Sequence, residues 1–341
     1  KSVRDFDIVT YDRVKRIYIE EDFAAWKEYA YHAQIHGAIL AYLEIKKKNF
    51  YSIVSDVDGK RFVTARGWED LSVVMKVYEQ QGLPINYDFV VQYLQDPEIA
   101  RDFAVYYELY QKYNQIYRIP ELLEGEFPED VLAIQNAPFD EKLSLIGLLL
   151  DALSQEFVTY ARWENAQKEF LAQLGYLRID LKEGKGSAKE LLERQSESHE
   201  TMTAHRKKAN LLSREELRTA HDLQKAFDAC VRLVTEAGSG DARSDFGLVK
   251  QYFDEQENLR QTQIADTGRH LSNAFDFLSR VFGEGQELVI FLSELSAGYY
   301  SLKFVSECGN EDYYKYNRLL LLKDRGEELT QEVMRILALD D

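Results

Sequence analysis

The chain has 341 residues, with 59 acidic against 42 basic side chains and a formal net charge of -17. That length holds two or more domains, while the acidity disfavours a general nucleic-acid binder, which needs basic patches to neutralise phosphates, and disfavours attraction to anionic lipid. Cys230 and Cys308 are the only cysteines, too few and too far apart for a disulfide framework and in keeping with a cytoplasmic setting.

In chain order, Val14 to Glu20 alternates apolar and polar residues and predicts a strand. Ile35-His36-Gly37 reads as a junction between helices, with His36 near the N-cap of the second. Phe50 to Val63 holds two β-rich runs around Asp58-Gly59, a hairpin signal. Val63-Thr-Ala-Arg-Gly-Trp-Glu-Asp-Leu71 follows. Gly67 is read as a turn, and Trp68, Leu71, Val74, Met75 and Tyr78 fall at helical spacing up to Gln81. Further helices are predicted over Asn86 to Leu94 and Pro97 to Tyr117. The latter carries Phe103, Tyr106, Tyr107, Tyr110, Tyr113 and Tyr117, mostly on one face. Such a stripe can stack on nucleic-acid bases. Without phosphate-binding charge the better reading is a packed core with hydroxyls at its edge.

Glu124-Gly-Glu-Phe-Pro128 marks a domain boundary. Beyond it the helices lengthen. They are predicted from Phe139 to about Leu174, Ala188 to Lys208, Ser213 (capping box with Glu216) to Ala237, Ser244 or Asp245 to Phe282, Glu287 to Glu307, and Glu311 to Leu339 with a break near Arg325-Gly326. Glycine turns at Gly184, Gly238 and Gly283 and the lack of proline after Pro138 predict extended antiparallel hairpins from Phe139 to Phe282. Leu143 to Leu150 is the most apolar stretch, ended by Asp151. It falls short of the roughly 18 to 20 residues that span a bilayer, so no membrane insertion is expected.

Few residues invite chemistry. Arg66, between an extended segment and a helix start, can hold two phosphate oxygens; the plainer reading is a surface salt bridge. His32 and His36, four apart, permit a metal only on one helix face, and the Ile35-His36-Gly37 junction argues against it. His199 and His205, six apart, do not share a face well, and Glu193, Glu197 and Glu200 beside them read as a solvated face. Cys230, Cys308 and Trp68 read as core. No Gly-x-x-x-x-Gly-Lys-Ser/Thr loop occurs, and Gly184-Lys-Gly-Ser187 has the wrong order for one. No apolar strand ends in an acidic pair that would hold magnesium.

Thr64-Ala-Arg-Gly-Trp-Glu-Asp70 resembles the sensor-2 segment in the lid of MoxR-type AAA+ ATPases, where a Thr-(Pro/Ala)-Arg-x-Trp-Glu pattern precedes a lid helix. Tyr11-Asp-Arg-Val-Lys-Arg-Ile-Tyr-Ile-Glu-Glu21 is similar to the end of that family's ATPase core, and the segments after Asp22 and Ile35 look like the first two lid helices. The likeness covers roughly residues 10 to 120, with Ala65 where many relatives have proline.

The resemblance implies a core tail at 1–21 and a helical AAA+ lid with a short β-hairpin at 22–124; with the helical pattern beyond it, the chain is expected to be mainly α and to end in a C-terminal helical domain of long antiparallel hairpins at 125–341. Arg66 would be the sensor-2 arginine. Arg13 would be an arginine finger, the alternative being a strand-edge salt bridge with Asp12 or Glu20. The full-length protein would use ATP and Mg2+, form a homo-oligomeric ring, and remodel or mature partner complexes alongside a von Willebrand factor A domain protein. Because the chain opens at Lys1 and lacks both nucleotide motifs, it is expected to be the C-terminal part of a longer ATPase and inactive alone, with no bound cofactor. The competing expectation is a stand-alone helical interaction module with no nucleotide role.

Overall fold

The computed structural model describes residues 20–56 and 59–319, with Arg13 and Lys15. The predicted strand at 14–20 and the last predicted helix beyond residue 319 fall largely outside the described residues.

The fold is mainly α with one hairpin and long helices. Helix α1 (Phe23–His32) is capped by Asp22, whose carboxylate accepts from the amides of Ala24 and Ala25. Helix α2 (Gly37–Ile45) is capped by His36, as its position suggested. Strands β1 (Ser52–Asp56) and β2 (Gly59–Val63) pair antiparallel, with Ser52 opposite Val63 and Asp56 opposite Gly59. Helix α3 (Ala65–Gln80) starts three residues earlier than the apolar pattern indicated, because Thr64 accepts from the amide of Gly67. Gly67 therefore does not turn the chain. It lies inside the first helical turn, where a Cβ would sit 2.9 Å from the carbonyl oxygen of Tyr93, so glycine permits a close backbone approach.

The helix predicted over Asn86 to Leu94 shrinks to α4 (Tyr87–Val90). Helix α5 (Pro97–Tyr117) spans the tyrosine stripe as predicted, and Phe103, Tyr107, Tyr110 and Tyr117 are buried. Short helices α6 (Ile119–Leu123) and α7 (Glu129–Leu132) lead into α8 (Phe139–Lys182). The 44 residues of α8 make a rod of about 66 Å, eight residues longer than the apolar side suggested. Helices α9 (Ala188–Lys208) and α10 (Arg214–Ala237) both begin with capping boxes, from Ser187 with Glu190 and Ser213 with Glu216. Helix α11 (Ala242–Phe282) is capped by Asp241 rather than by Ser244 or Asp245. Asp245 is buried and instead accepts from the amides of Ser239 and Gly240, at 2.7 and 3.2 Å, closing the preceding turn. The helix predicted over 287 to 307 is broken at Gly298 into α12 (Gln286–Ala297) and α13 (Tyr299–Cys308), which meet at 88°.

Two apolar cores follow. The larger packs α2, α3 and α5 against the first half of α8, the second half of α11, and α12 and α13. Trp68 is fully buried there, and its indole N–H faces the carbonyls of Asn49 and Phe50 at 3.3 and 3.2 Å, tying the hairpin's start to α3. This core runs on both sides of residue 124. The smaller one is an antiparallel arm of the distal half of α8, α9, α10 and the first half of α11, centred on Phe170, Leu177, Phe227 and Cys230. Between the cores α8 is polar, and Glu164 pairs with Arg260 of α11. An 18-residue window of α8 reaches a mean hydropathy of 1.2, enough by composition for a membrane span, but half of that window is buried inside the fold.

Candidate functional site

Helix α3 joins two distinct surfaces. Arg66 stands in its first turn and Glu79 in its last, 13 residues or about 20 Å apart.

At the first end, the Arg66 side chain is 89% exposed and its Nε lies 3.6 Å from Asp70 Oδ2, its only ion-pair partner among the described residues. The helix start that carries it is fixed by Thr64 and by the buried Trp68 and Leu71. The guanidinium is thus freely presented on a rigid mount. Arg13 is exposed.

The other end opens into a groove of about 910 Å³ between α3, α5 and α6 on one side and α8 and α11 on the other. His36 Nδ1 accepts from the amide of Ala38 at 3.1 Å, so Nε2 carries the ring proton and donates toward both Glu79 oxygens at 3.0 Å. Glu79 also accepts from Tyr107 Oη at 2.6 Å and from Gln111 at 2.9 Å. Burial pushes the Glu79 carboxyl up, but the bonds from His36, Tyr107 and Gln111 outweigh it and hold the group below its ordinary range. With both ring nitrogens engaged, His36 is a cap and a brace, not a free base.

Across the groove, His270 of α11 places Nδ1 2.8 Å from Glu156 of α8 and Nε2 3.1 Å from Glu124, the C-cap of α6. Asp151 of α8 packs against Gly37 so closely that a Cβ there would lie 2.7 Å from the Asp151 side chain. Burial pushes the Asp151 carboxyl above its ordinary value; His36 and Lys76 oppose the rise, and Glu79 adds to it. The Tyr110 hydroxyl is buried without a hydrogen-bond partner among the described residues. Burial, with Asp151 and Glu79 nearby, pushes its pKa well up.

The structure separates His32 from His36. The His32 ring stacks on Tyr300, with centroids 5.9 Å apart, while His36 serves the groove. His199 Nδ1 lies 2.9 Å from Gln224, and His205 sits exposed in the last turn of α9. Among the described residues no group of three His, Cys, Asp or Glu side chains is arranged to hold a metal. Cys230 is buried in the arm core, and burial pushes its thiol up to about 12; Cys308 is partly exposed. Sequence reasoning missed the groove because its carboxylates come from three helices far apart in the chain. The signal available was Asp151 ending the most apolar stretch of the chain.

No protein-family model, curated protein or solved structure matches the chain.

Proposed function

We propose that this chain is the lid and C-terminal helical region of a MoxR-type AAA+ ATPase, coupling ATP binding and hydrolysis to chaperone-like remodelling or maturation of partner protein complexes. The observation that supports the reading is the presentation of Arg66: an exposed guanidinium on a rigidly capped helix start, opposed only by a 3.6 Å contact to Asp70. Such a pair is worth little in water and is readily exchanged for a phosphate.

In this reading ATP and Mg2+ are held by an ATPase core joined to the chain in the full-length protein, and Arg66 contacts the phosphates from the lid. Arg13 acts on a neighbour's nucleotide within a homo-oligomeric ring, and a von Willebrand factor A domain protein is the partner class. The packing supplies a route for motion. Helix α2 lies on α8 through small residues, with Gly147 against Ala41 and Gly37 against Asp151. A turn of the lid is therefore carried by α8 into the arm.

The test is ATP turnover by the full-length protein. Arg66→Ala is expected to slow it by about 2 to 4 kcal/mol of transition-state stabilisation with an unchanged melting temperature. Unchanged turnover assigns Arg66 to the surface pair with Asp70. A second reading, a helical interaction module with no nucleotide role, draws on the exposed Leu171, Tyr176 and Ile179 of the arm. It predicts no nucleotide effect on any property of the full-length protein.

A further inference from the structure

The groove at the C-terminal end of α3 has a composition that its own internal bonds do not explain. Glu79, Glu124, Asp151 and Glu156 all line it, and no lysine or arginine does among the described residues. Three of these carboxylates are engaged, Glu79 by His36, Tyr107 and Gln111, Glu156 by His270, and Glu124 by His270 and, from outside the groove lining, by Arg269 at 2.6 Å. Asp151 is not matched in this way. Its only hydrogen bond among the described side chains is a long one, 3.4 Å from Gln155. Tyr110, on the facing wall, is 3% exposed, and its hydroxyl has no partner among the described residues. A buried hydroxyl left unmatched is costly unless something completes it, and the half-buried Asp151 carboxyl faces the same groove with only one long hydrogen bond.

We propose that this groove is a binding site for an organic cation, an alkylammonium or guanidinium group, held by the Asp151 carboxylate and the Tyr110 hydroxyl between the carboxylates of Glu79 and Glu156. The chemistry follows from the donor inventory. An ammonium or guanidinium brings N–H donors and no acceptor, which suits a groove whose poorly matched atoms are a carboxylate and a phenol oxygen, both able to accept. Tyr107 and Tyr110, which line the groove, offer apolar contact to the carbon stem. A volume of about 910 Å³ takes a free polyamine or a lysine or arginine side chain with part of its peptide.

The inference goes beyond the nucleotide reading and does not depend on it, because every residue invoked lies between His36 and His270 and the test uses no nucleotide. The experiment is isothermal titration calorimetry of the chain with spermidine and, separately, with an end-blocked pentalysine peptide. At least one probe is expected to bind saturably with a stoichiometry of one. Asp151→Asn and Tyr110→Phe, both close in shape to the native side chains, should each weaken it at least tenfold. Glu98→Gln, which removes an exposed carboxylate outside the groove, should not change it. Tighter binding of spermidine identifies a free amine as the source of the cation, and tighter binding of the peptide identifies a basic protein segment; either supports the site. Absence of saturable binding by both probes overturns it. So does binding that Asp151→Asn and Tyr110→Phe leave unchanged, which would reduce the effect to general attraction to a chain of net charge -17.

Discussion

The close crossing of α2 and α8 makes the sharpest test of the packing. Gly147 of α8 faces Ala41 of α2, and a Cβ at 147 would lie 2.9 Å from the Ala41 methyl. Carbon atoms pack best at about 3.5 to 4.0 Å, so Gly147→Ala must push the helices apart by more than half an ångström or deform one of them. Alanine in a helix interior gains about 1 kcal/mol over glycine, and overpacking a close-packed core costs about 1 to 3 kcal/mol. The net expectation is a loss of up to about 2 kcal/mol from these two terms. Gly268 of α11 provides the internal control. It belongs to a helix of the same core, yet a Cβ there meets nothing within 4 Å, so Gly268→Ala should stabilise by about 1 kcal/mol. Urea denaturation followed by the fluorescence of the buried Trp68 measures both. Ala41→Gly added to Gly147→Ala should restore most of the loss, since it removes the methyl that clashes. If Gly147→Ala stabilises as much as Gly268→Ala, α2 does not lie on α8 at this distance and the route from lid to arm fails with it.

Other outcomes follow from single sites. Arg66→Ala should leave the melting temperature of the chain unchanged, because the side chain is 89% exposed; a drop of several degrees would make Arg66 a structural residue. Asp151 has its folded pKa raised above the ordinary 3.8. The folded state therefore holds more protons than the unfolded one from about pH 3.8 upward, and stability falls as pH rises through that window. Asp151→Asn should accordingly be more stable than wild type at pH 7, with the gap in urea midpoint narrowing toward pH 4; a gap independent of pH would refute the desolvated carboxyl. Asp245→Ala leaves the amides of Ser239 and Gly240 without their acceptor and should cost about 2 kcal/mol, read as faster hydrogen exchange across 238–249.

Much of this architecture was legible in the chain because its determinants are local. The capping box at Ser213 and Glu216, the proline that opens α5 and the apolar spacing after Trp68 each act over one or two helical turns. The tyrosine stripe read as core because an acidic chain offers few phosphate contacts, and four of its six aromatics are buried. Where the reading failed, a contact outside the helix in question outweighed the pattern within it. Gly67 looked like a turn and is instead a close approach to Tyr93. Asp245 looked like a cap and is drawn back to close the turn before α11, leaving Asp241 to cap the helix. The end of α8 was placed at Leu174 because the apolar side thins there; packing against α9, α10 and α11 carries the helix on to Lys182.

The sequence by itself determined the helical class, the hairpin, the long antiparallel helices and the candidate arginines, since periodicity, caps and glycine turns act within one segment. Only the tertiary structure decided that Arg66 is presented to solvent while Glu79, at the other end of the same helix, closes a groove with Glu124, Asp151 and Glu156. Those carboxylates are separated by up to 77 positions and carry no motif. They meet because small residues let α2 seat against α8, and a long-range contact of that kind depends on side-chain volume at the crossing, which no short window of sequence encodes.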